Sequence, residues 1–427
     1  MSRLTQRASA WIPSAYVEAN FFRDKSRWEV VEVATVISFF PVDNGDMTLI
    51  RLDDGRTILI DVRIREAADD SENDTPDVGK ELRKRLKKDE NGRHFVDAFC
   101  LTHPDEDHCL GLEKHFHLGD PDEFAEKSDK IFIREIWSSP IVFRRASADH
   151  TLCDDARAFN AEARRRVKKY RDSGSSVGDG NRIQVLGEDI DGKTDDLSSI
   201  LVKVDELIKK INGNAEEWME ARLLGPLSHA EDEVEEETLT KNQSSVALRF
   251  SLAAGGKSDA GLFLIGGDAD VAIWERHWNR LKEDHKDWLQ YDLMLTPHHC
   301  SWHTLSYDSW SDKGEDAQVS EDAKQALAQA RSGAIVIASS KPISDDDSDP
   351  PCVRAKREYL AITKNVGGRF LCVGELPSTE KPGVLEIEIT SDGVRVKRSP
   401  STPAIGGGGA IGGQPLTHGS GRSRRHG

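Results

Sequence analysis

The sequence predicts a mixed α/β fold that begins with an antiparallel meander. Near the start of the chain, β-branched runs are separated by an Asp-Asn-Gly turn at 43–45 and an Asp-Asp-Gly turn at 53–55, a pattern typical of hairpins. Further along, amphipathic helical stretches lie between additional apolar runs. Several of these runs end directly in His or Asp residues, so we expect a polar site at strand ends.

The predicted elements follow in order. The first strand lies in the apolar run 28–40, and a charged segment that ends in a helix at 79–88 precedes the buried strand 95–102. The other strands are predicted at 47–52, 57–62, 131–137, 244–252, 262–267, 293–296, 334–339 and 384–390. The other helices are predicted at 154–170, 195–211 and 320–331.

The charge pattern suggests further divisions of the chain. Residues 1–27 form a predicted N-terminal extension, and the main domain covers 28–397. Residues 140–240 are rich in charge and interrupt the strand pattern, so we interpret them as an insertion that either forms a lid or presents a solvated helical face. The Gly/Ser-rich tail 398–427 is predicted to be disordered, since it buries too little apolar surface.

Composition narrows the class of protein. The 427 residues are 37% hydrophobic and include 9 Trp, which is sufficient for a large core. No run approaches the roughly 20 apolar residues of a membrane span, and the start lacks the apolar segment of a secretory signal, so we expect a cytoplasmic protein without membrane contact. The six cysteines form no C-x-x-C pair and are expected to be reduced. A net charge of −17 argues against a broad nucleic-acid footprint.

The strongest chemical signal is the loop Thr102-His103-Pro104-Asp105-Glu106-Asp107-His108. It follows a predicted buried strand and presents imidazole and carboxylate groups together. This mixture of donors suits Zn²⁺ or Mn²⁺, as one or two ions, better than Ca²⁺, which prefers oxygen ligands alone. The alternative is an exposed acidic turn without a ligand. Two similar strand ends downstream make that alternative the weaker one.

The first of these strand ends is LFLIGGDAD, where Asp268 emerges after two glycines that permit close approach. Asp268 is the better candidate for a metal ligand, although Asp270 is an alternative. Asp268 would otherwise only cap the helix that is predicted to begin at Val271.

The second strand end is LMLTPHHCSWHT, which delivers the adjacent His298 and His299. At least one of them is expected to bind metal, and the spacing does not decide which. The other would contact the substrate or support a ligand from behind. His115 and His117 lie on a predicted helix after the first loop and are expected at the surface.

Taken in order, these motifs resemble the metallo-β-lactamase superfamily, and within it most closely the ComEC-type hydrolase domain of bacterial DNA-uptake channels. The resemblance covers about residues 34–375. THPDEDHCLGL is similar to the family pattern S-H-P-D-A-D-H-x-G-G, LIGGD to L-L-T-G-D, and HHCS to H-H-G-S. PVDNGDMTLI, ILIDVR and NQSSVALRF are similar to three further family segments. The chain departs from the family in lacking membrane segments, so the channel role does not transfer.

The resemblance implies a four-layer αββα sandwich with a metal site along one edge. It also implies that His103, Asp105 and one of His298 or His299 hold one metal. His108 and Asp107 would hold the second, and Asp268 would bridge the two. His229 is the positional candidate for a further ligand, and Asp349 stands near the place of a family histidine that this chain lacks.

The implied activity is hydrolysis, in which the metal activates water and Asp107 orients or deprotonates it. Our preferred hypothesis is a phosphodiesterase or nuclease that acts on a nucleic acid or a nucleotide-like substrate, with Lys341 available to neutralise phosphate. One alternative is an ester, lactone, amide or thioester hydrolase, because one fold supports many reactions. Another is a degenerate regulatory protein that keeps a structural metal.

Overall fold

The computed structural model describes residues 34–70, 72–125, 127–149, 151–227 and 242–397. The predicted N-terminal extension, the start of the run 28–40, the tail 398–427 and His229 lie outside the described residues. No helix among the described residues is long and apolar enough to cross a bilayer.

The first sheet has ten strands in the described chain. They run in the order β19-β18-β1-β2-β3-β4-β6-β7-β8, and a short β5 pairs with β6 beside this path. Their bounds are β1 Thr35–Phe39, β2 Thr48–Arg51, β3 Thr57–Ile60, β4 Phe95–Cys100, β5 Phe116–His117, β6 Ile131–Ser138, β7 Arg182–Leu186, β8 Leu201–Val202, β18 Leu385–Thr390 and β19 Gly393–Val396. Strands β1, β2 and β3 pair antiparallel, as the two turns predicted.

The second sheet has seven strands among the described residues, in the order β17-β16-β15-β14-β13-β12-β9. Their bounds are β9 Leu207–Ile208, β12 Met219–Gly225, β13 Ala247–Ala254, β14 Lys257–Ile265, β15 Tyr291–Leu295, β16 Ala330–Ala338 and β17 Arg369–Cys372. A separate hairpin is formed by β10 Lys210–Ile211 and β11 Asn214–Ala215.

The α-helices are α1 Val78–Arg85, α2 Glu106–Cys109, α3 Leu112–His115, α4 Pro140–Asp149, α5 Asp154–Ser173, α6 Val271–Leu281, α7 Trp310–Lys313, α8 Glu321–Leu327 and α9 Val353–Asn365. Helices α1 and α5 pack on the outer face of the first sheet, whereas α6, α8 and α9 pack on the outer face of the second.

The two sheets face each other across a shared apolar core. Alternate residues of a strand point to opposite faces, so Phe263 of β14 lies in this core while its neighbour Leu264 packs under the helices. The ring of Phe263 meets that of Phe39 from β1 edge to face, with centroids 5.8 Å apart. Helices outside, two sheets inside and three apolar layers between them make the expected four-layer αββα sandwich.

The predicted strands are present, but the helix predicted at 195–211 is wrong. A single 3₁₀ turn, Asp195–Leu197, is followed by β8, β9 and β10. The apolar spacing of this stretch fits a helix, but β8 pairs with β7 and β9 pairs with β12. Pairing with existing sheet edges therefore overrides the local pattern, and β-branched residues such as Val202 and Ile208 suit it.

Residues 140–225 contribute to both sheets as well as to the outer layer. Helices α4 and α5 cover the first sheet, strands β7 and β8 extend its edge, and β9 and β12 form the edge of the second sheet. Whether the segment 140–240 is an insertion with a lid function stays a prediction.

The topology brings the carboxyl ends of several strands to one edge. Strands β3 and β4 are parallel, and so are β14 and β15, so the loops that follow each pair leave on the same side. The two sheets meet at this edge, where the backbone N–H of Val246 donates to the carbonyl of Thr102 at 2.9 Å. The three motifs with His and Asp are therefore neighbours in space.

Candidate metal centre

The first motif leaves β4 and turns at once into the short helix α2. The backbone N–H of His108 donates to the carbonyl of Asp105 at 3.0 Å, which closes the turn and brings His103 and His108 to the same side. Their rings lie 4.0 Å apart between centroids, and both side chains are fully buried. The predicted loop is therefore compact and faces inward.

The second motif depends on Gly267, whose φ is +49°. A Cβ at this position would lie 2.9 Å from that of Ser245 and 3.0 Å from the Thr102 hydroxyl, so glycine alone permits the close approach of the two sheets here. Asp268 follows at 2% exposure, and its backbone N–H donates to the Ser245 hydroxyl at 3.1 Å.

The third motif has an unusual backbone. His298, His299 and Cys300 have φ values of +49°, +52° and +70°, a left-handed conformation that non-glycine residues adopt only at a cost. Three such residues in succession send the two adjacent imidazoles into the same cavity from different directions, with their ring planes inclined by 73°. Strain of this kind is typical of functional sites.

Asp268 lies at the centre of the four histidines. Its Oδ2 atom is 3.4 Å from His103 Nε2 and 3.6 Å from His298 Nε2. Its Oδ1 atom is 3.1 Å from His108 Nε2 and 3.6 Å from His299 Nε2. The carboxylate therefore has one oxygen directed to each pair of histidines.

Two further carboxylates each lie beside one of these pairs of histidines, and each pair with its carboxylate forms one half of the site. Asp105 Oδ2 lies 3.7 Å from His103 Nε2, and Asp107 Oδ2 lies 3.3 Å from His299 Nε2. We call these two aspartates, Asp268 and the four histidines the Asp268 cluster. All seven site residues that the sequence predicted are brought together in it.

The donor set of the Asp268 cluster fits divalent cations. The ligand atoms of Asp107, His108, Asp268 and His299 all lie within 4.8 Å of one another. The Nε2 atoms of His108 and His299 face each other at 3.2 Å. His103 Nε2 and Asp268 Oδ1 are buried and make no hydrogen bond of normal geometry with the described residues. A metal would satisfy buried atoms such as these two, which converge without a hydrogen-bond partner.

Asp61 supports His108 from behind. Its Oδ2 atom lies 2.8 Å from His108 Nδ1, and it accepts hydrogen bonds from the Thr102 backbone N–H at 2.7 Å and from the Thr102 hydroxyl at 2.6 Å. This contact fixes the ring so that Nε2 points into the cluster. In the same way, Asp46 Oδ1 lies 3.4 Å from His299 Nδ1.

The sequence motifs did not predict these two supporting carboxylates. Both lie in segments that the resemblance included, Asp46 after the Asp-Asn-Gly turn and Asp61 directly after β3. For Asp61 the available signal was a carboxylate at the end of a buried strand, the same signal that identified Asp268.

The electrostatics of the cluster are dominated by Asp268. Its burial alone would raise its pKa, but the surrounding imidazoles, His108 first, lower the pKa of Asp268 well below its ordinary value. Burial likewise opposes a charge on His299, yet Asp268 together with Asp107 and Asp46 raises the pKa of His299 to about 10. A cation that binds here must therefore displace a proton from His299.

The two other candidate aspartates, Asp270 and Asp349, lie outside the Asp268 cluster. Asp270, the alternative to Asp268, caps α6 by accepting from the Ala272 backbone N–H at 3.2 Å. Asp349 accepts from the Trp302 backbone N–H at 3.0 Å and lies 3.9 Å from His303. Neither aspartate lies within an ion-pair distance of the histidines of the Asp268 cluster among the described residues.

The expected surface position of His115 is wrong. At the end of the one-turn helix α3 it is 8% exposed, because the ring packs back against Gly111. His117 is half-buried in β5, and its ring packs on Phe124 and Phe132.

No protein-family model and no curated protein matches this sequence. Among solved structures, the chain is similar to the one titled "Crystal Structure of a New Diphosphatase from the PhnP Family". The sequence identity is 12%, the TM-score is 0.31, and the match covers 83% of this chain and 98% of the other. A superposition this loose supports no comparison of function.

Proposed function

We propose that the protein is a metal-dependent hydrolase whose centre holds two divalent cations, Zn²⁺ or Mn²⁺, bridged by Asp268. The observation that carries the proposal is the division of contacts around this carboxylate. Oδ2 faces His103 and His298 with Asp105 beyond, whereas Oδ1 faces His108 and His299 with Asp107 beyond. Each half offers two imidazoles and two carboxylates, a suitable set for one cation.

This geometry supports an assignment that the sequence left open. His298 belongs with the His103 half and His299 with the His108 half, so both adjacent histidines are proposed ligands. Bound cations would activate a water molecule and draw electron density from the scissile group.

Asp107 is the proposed catalytic residue. Its side chain is 34% exposed, in contrast to the fully buried His108 and His299, so solvent can reach it. Burial raises its pKa, but the hydrogen bond with His299 and the charge of His108 outweigh this and hold the pKa of Asp107 below its ordinary value. We therefore propose that Asp107 orients the attacking water, since such a weak base removes a proton poorly.

The proposed substrate class is a phosphodiester in a nucleic acid or nucleotide-like molecule. Lys341 follows β16 at the edge of the site, where the nearby Ser339 hydroxyl donates to the carbonyl of Gly45, the residue before Asp46. The Lys341 ammonium donates to the Ser348 hydroxyl at 3.4 Å and has no carboxylate within 4 Å among the described residues. This charge is available to bind phosphate locally in a chain of net charge −17.

The test combines metal analysis with hydrolysis of bis(p-nitrophenyl) phosphate under added Mn²⁺ or Zn²⁺. We expect up to two equivalents of metal in the wild type and metal-dependent turnover. The variant Asp107→Ala/His108→Ala should lose at least one equivalent and nearly all turnover. The control His285→Ala removes an exposed histidine that stacks on Trp288 and should keep both the bound metal and the turnover.

Each outcome separates the candidate functions. Metal without turnover on the phosphodiester would favour an acyl substrate or a structural metal, and p-nitrophenyl acetate would then distinguish these two. Absence of metal from the wild type under both ions would contradict the proposal.

A further inference from the structure

Two cysteines lie in contact beside the Asp268 cluster. Cys109 Sγ and Cys153 Sγ are 3.4 Å apart, although 44 residues separate them in sequence. Cys109 is the last residue of α2 and directly follows His108, while Cys153 immediately precedes α5. No atom fits between two sulfurs at this distance, so the two thiols touch.

Both sulfurs are held in place by their own hydrogen bonds. Cys109 Sγ donates to the carbonyl of Asp105 at 3.1 Å, and Cys153 Sγ accepts from the backbone N–H of Ala156 at 3.4 Å. The meeting of the two sulfurs therefore belongs to a fixed arrangement of α2 and the first turn of α5.

A second contact joins the same two parts of the chain. The Asp155 carboxylate accepts from the backbone N–H of Gly111 at 2.8 Å and from that of Glu113 at 2.7 Å. The start of α5 is thus bound to the segment that follows α2, next to the thiol pair. These two hydrogen bonds hold the backbone of α5 next to that of α2.

Only one sulfur of the six can meet an oxidant without unfolding. Cys153 is partly exposed, whereas the other five cysteines are buried, and all six belong to the described residues. An accessible thiol with a second thiol directly behind it is the arrangement that forms a disulfide on oxidation.

We propose that Cys109 and Cys153 are a site of reversible oxidation, at which a peroxide converts the two thiols to a disulfide that ties α2 to α5. The sulfur of Cys153 attacks the peroxide, the O–O bond breaks, and Cys153 becomes a sulfenic acid with loss of one water. The sulfur of Cys109 then attacks that of Cys153, the S–O bond breaks, and a second water leaves with the proton of Cys109. The two sulfurs lose two electrons and hydrogen peroxide gains them.

The disulfide requires little movement. A bonded pair of sulfurs lies about 2.05 Å apart, so the present separation must shorten by roughly 1.4 Å, which side-chain rotation and a small shift of α2 can supply. Because Cys109 adjoins His108, the bond would fix the turn that carries this histidine against α5. The proposal does not depend on the hydrolase function, since it concerns only the thiols.

The test treats the folded full-length protein with hydrogen peroxide, blocks the remaining thiols with an alkylating reagent, and maps tryptic peptides by mass spectrometry. We expect two of six thiols to disappear and peptide 94–114 to be linked to peptide 146–157, with dithiothreitol reversing the link. Peptide 94–114 also contains Cys100, so the control Cys100→Ala must keep the link.

Two variants make the result decisive. In Cys153→Ser the link should be absent and the other five thiols should survive. In Cys109→Ala, Cys153 should instead be trapped by dimedone as the sulfenic acid, and circular dichroism checks that each variant is folded. A link that persists in Cys109→Ala, disulfides only between two protein molecules, or a Cys153 thiol that survives peroxide in the wild type would overturn the proposal.

Discussion

At the scale of single residues, Asp268 organises the candidate site because each of its carboxylate oxygens faces a different pair of imidazoles. It differs from Asp270, two residues further on, in both burial and partners. Asp268 is 2% exposed within the cluster, whereas Asp270 accepts from Gln243 and from the first turn of α6. Two aspartates that the sequence could not separate therefore have separate tasks.

This difference predicts opposite effects of two matched variants. Asp268→Ala should abolish tight metal binding, because the carboxylate that faces both pairs of histidines is lost. Asp270→Ala should keep the metal but lower the free energy of unfolding by about 1 kcal/mol, the usual cost of losing a helix cap. Metal titration and urea unfolding of both variants measure this. Equal metal affinity in the two variants would contradict the role given to Asp268.

The contact between Asp61 and His108 predicts an indirect effect on metal binding. Asp61→Asn keeps the shape of the side chain but removes the charge that orients His108, so we expect metal affinity to fall roughly 10- to 100-fold. Isothermal titration with Zn²⁺ under a competing chelator measures this. The similarly buried Asp97, which binds Thr57 and Arg134 away from the site, provides the control Asp97→Asn. A loss of affinity equal in both variants would show a general structural effect.

A buried histidine outside the site predicts a dependence of stability on pH. Burial, aided by Arg280 and Arg276, lowers the pKa of His277 to about 3. Above the ordinary pKa of about 6.5 this histidine is neutral in both states and has no effect. Below it the unfolded chain binds a proton that the folded chain does not, so stability falls as the pH decreases from about 6.5 to about 3.

The expected slope is up to about 1.4 kcal/mol per pH unit from this residue. His277→Leu should flatten the dependence of the free energy of unfolding on pH between 4 and 6.5, whatever its effect at neutral pH. The control His285→Leu removes an exposed histidine and should leave the slope as it is. Urea unfolding at several pH values decides between these outcomes, and an unchanged slope in His277→Leu would refute the assignment.

At the scale of secondary-structure elements, α5 holds α2 and the residues that follow it from outside. Its first turn contributes Asp155 to two backbone N–H groups beyond α2, and Cys153 touches Cys109 of α2 itself. Its apolar face packs on the first sheet, where Phe159 meets Phe99 edge to face at 5.6 Å. The helix therefore connects the sheet to the loop that carries Asp107 and His108.

This connection predicts different effects for neighbouring carboxylates of α5. Asp155→Ala leaves two N–H groups without their acceptor, so we expect a loss of about 1–2 kcal/mol in the free energy of unfolding and weaker metal binding. Asp154→Ala removes only an exposed ion pair with Arg157 and should change little. Denaturant unfolding and metal titration of both variants test this, and identical behaviour would exclude a supporting role for α5.

At the scale of the whole molecule, the Asp268 cluster lies where the two sheets meet, so metal binding should stabilise the complete sandwich. The loops after β4 of the first sheet and after β14 and β15 of the second all contribute to it. A cation bound between these loops would link the two sheets at the edge where the loops meet. The folded state alone presents these groups together.

Metal should therefore raise the melting temperature. At a free metal concentration 100 times the dissociation constant, the expected gain is about 2.7 kcal/mol. Differential scanning calorimetry with added Zn²⁺ or Mn²⁺ and again with a chelator measures the shift. The variant Asp107→Ala/His108→Ala should show a smaller shift, and a shift as large as that of the wild type would place the stabilising metal elsewhere.

The sequence by itself determined the elements and the residues that converge. Local patterns are sufficient for these features: a continuous apolar run marks a buried strand such as β14, Asp-Gly turns mark the first hairpins, and a His or Asp directly after an apolar run marks a strand end. All seven predicted residues of the Asp268 cluster came from such strand ends. The same local reasoning failed at 195–211, where pairing with β7 and β12 outweighed the helical spacing.

Only the tertiary structure decided which groups are partners. His108 and His299 are 191 residues apart in sequence, and their 3.2 Å contact depends on the packing of two sheets. The same packing directs His298 and His299 to different oxygens of Asp268, brings Asp61 behind His108, and places Cys153 against Cys109. Distances between remote segments arise from sheet order and core packing, which no local pattern of residues encodes.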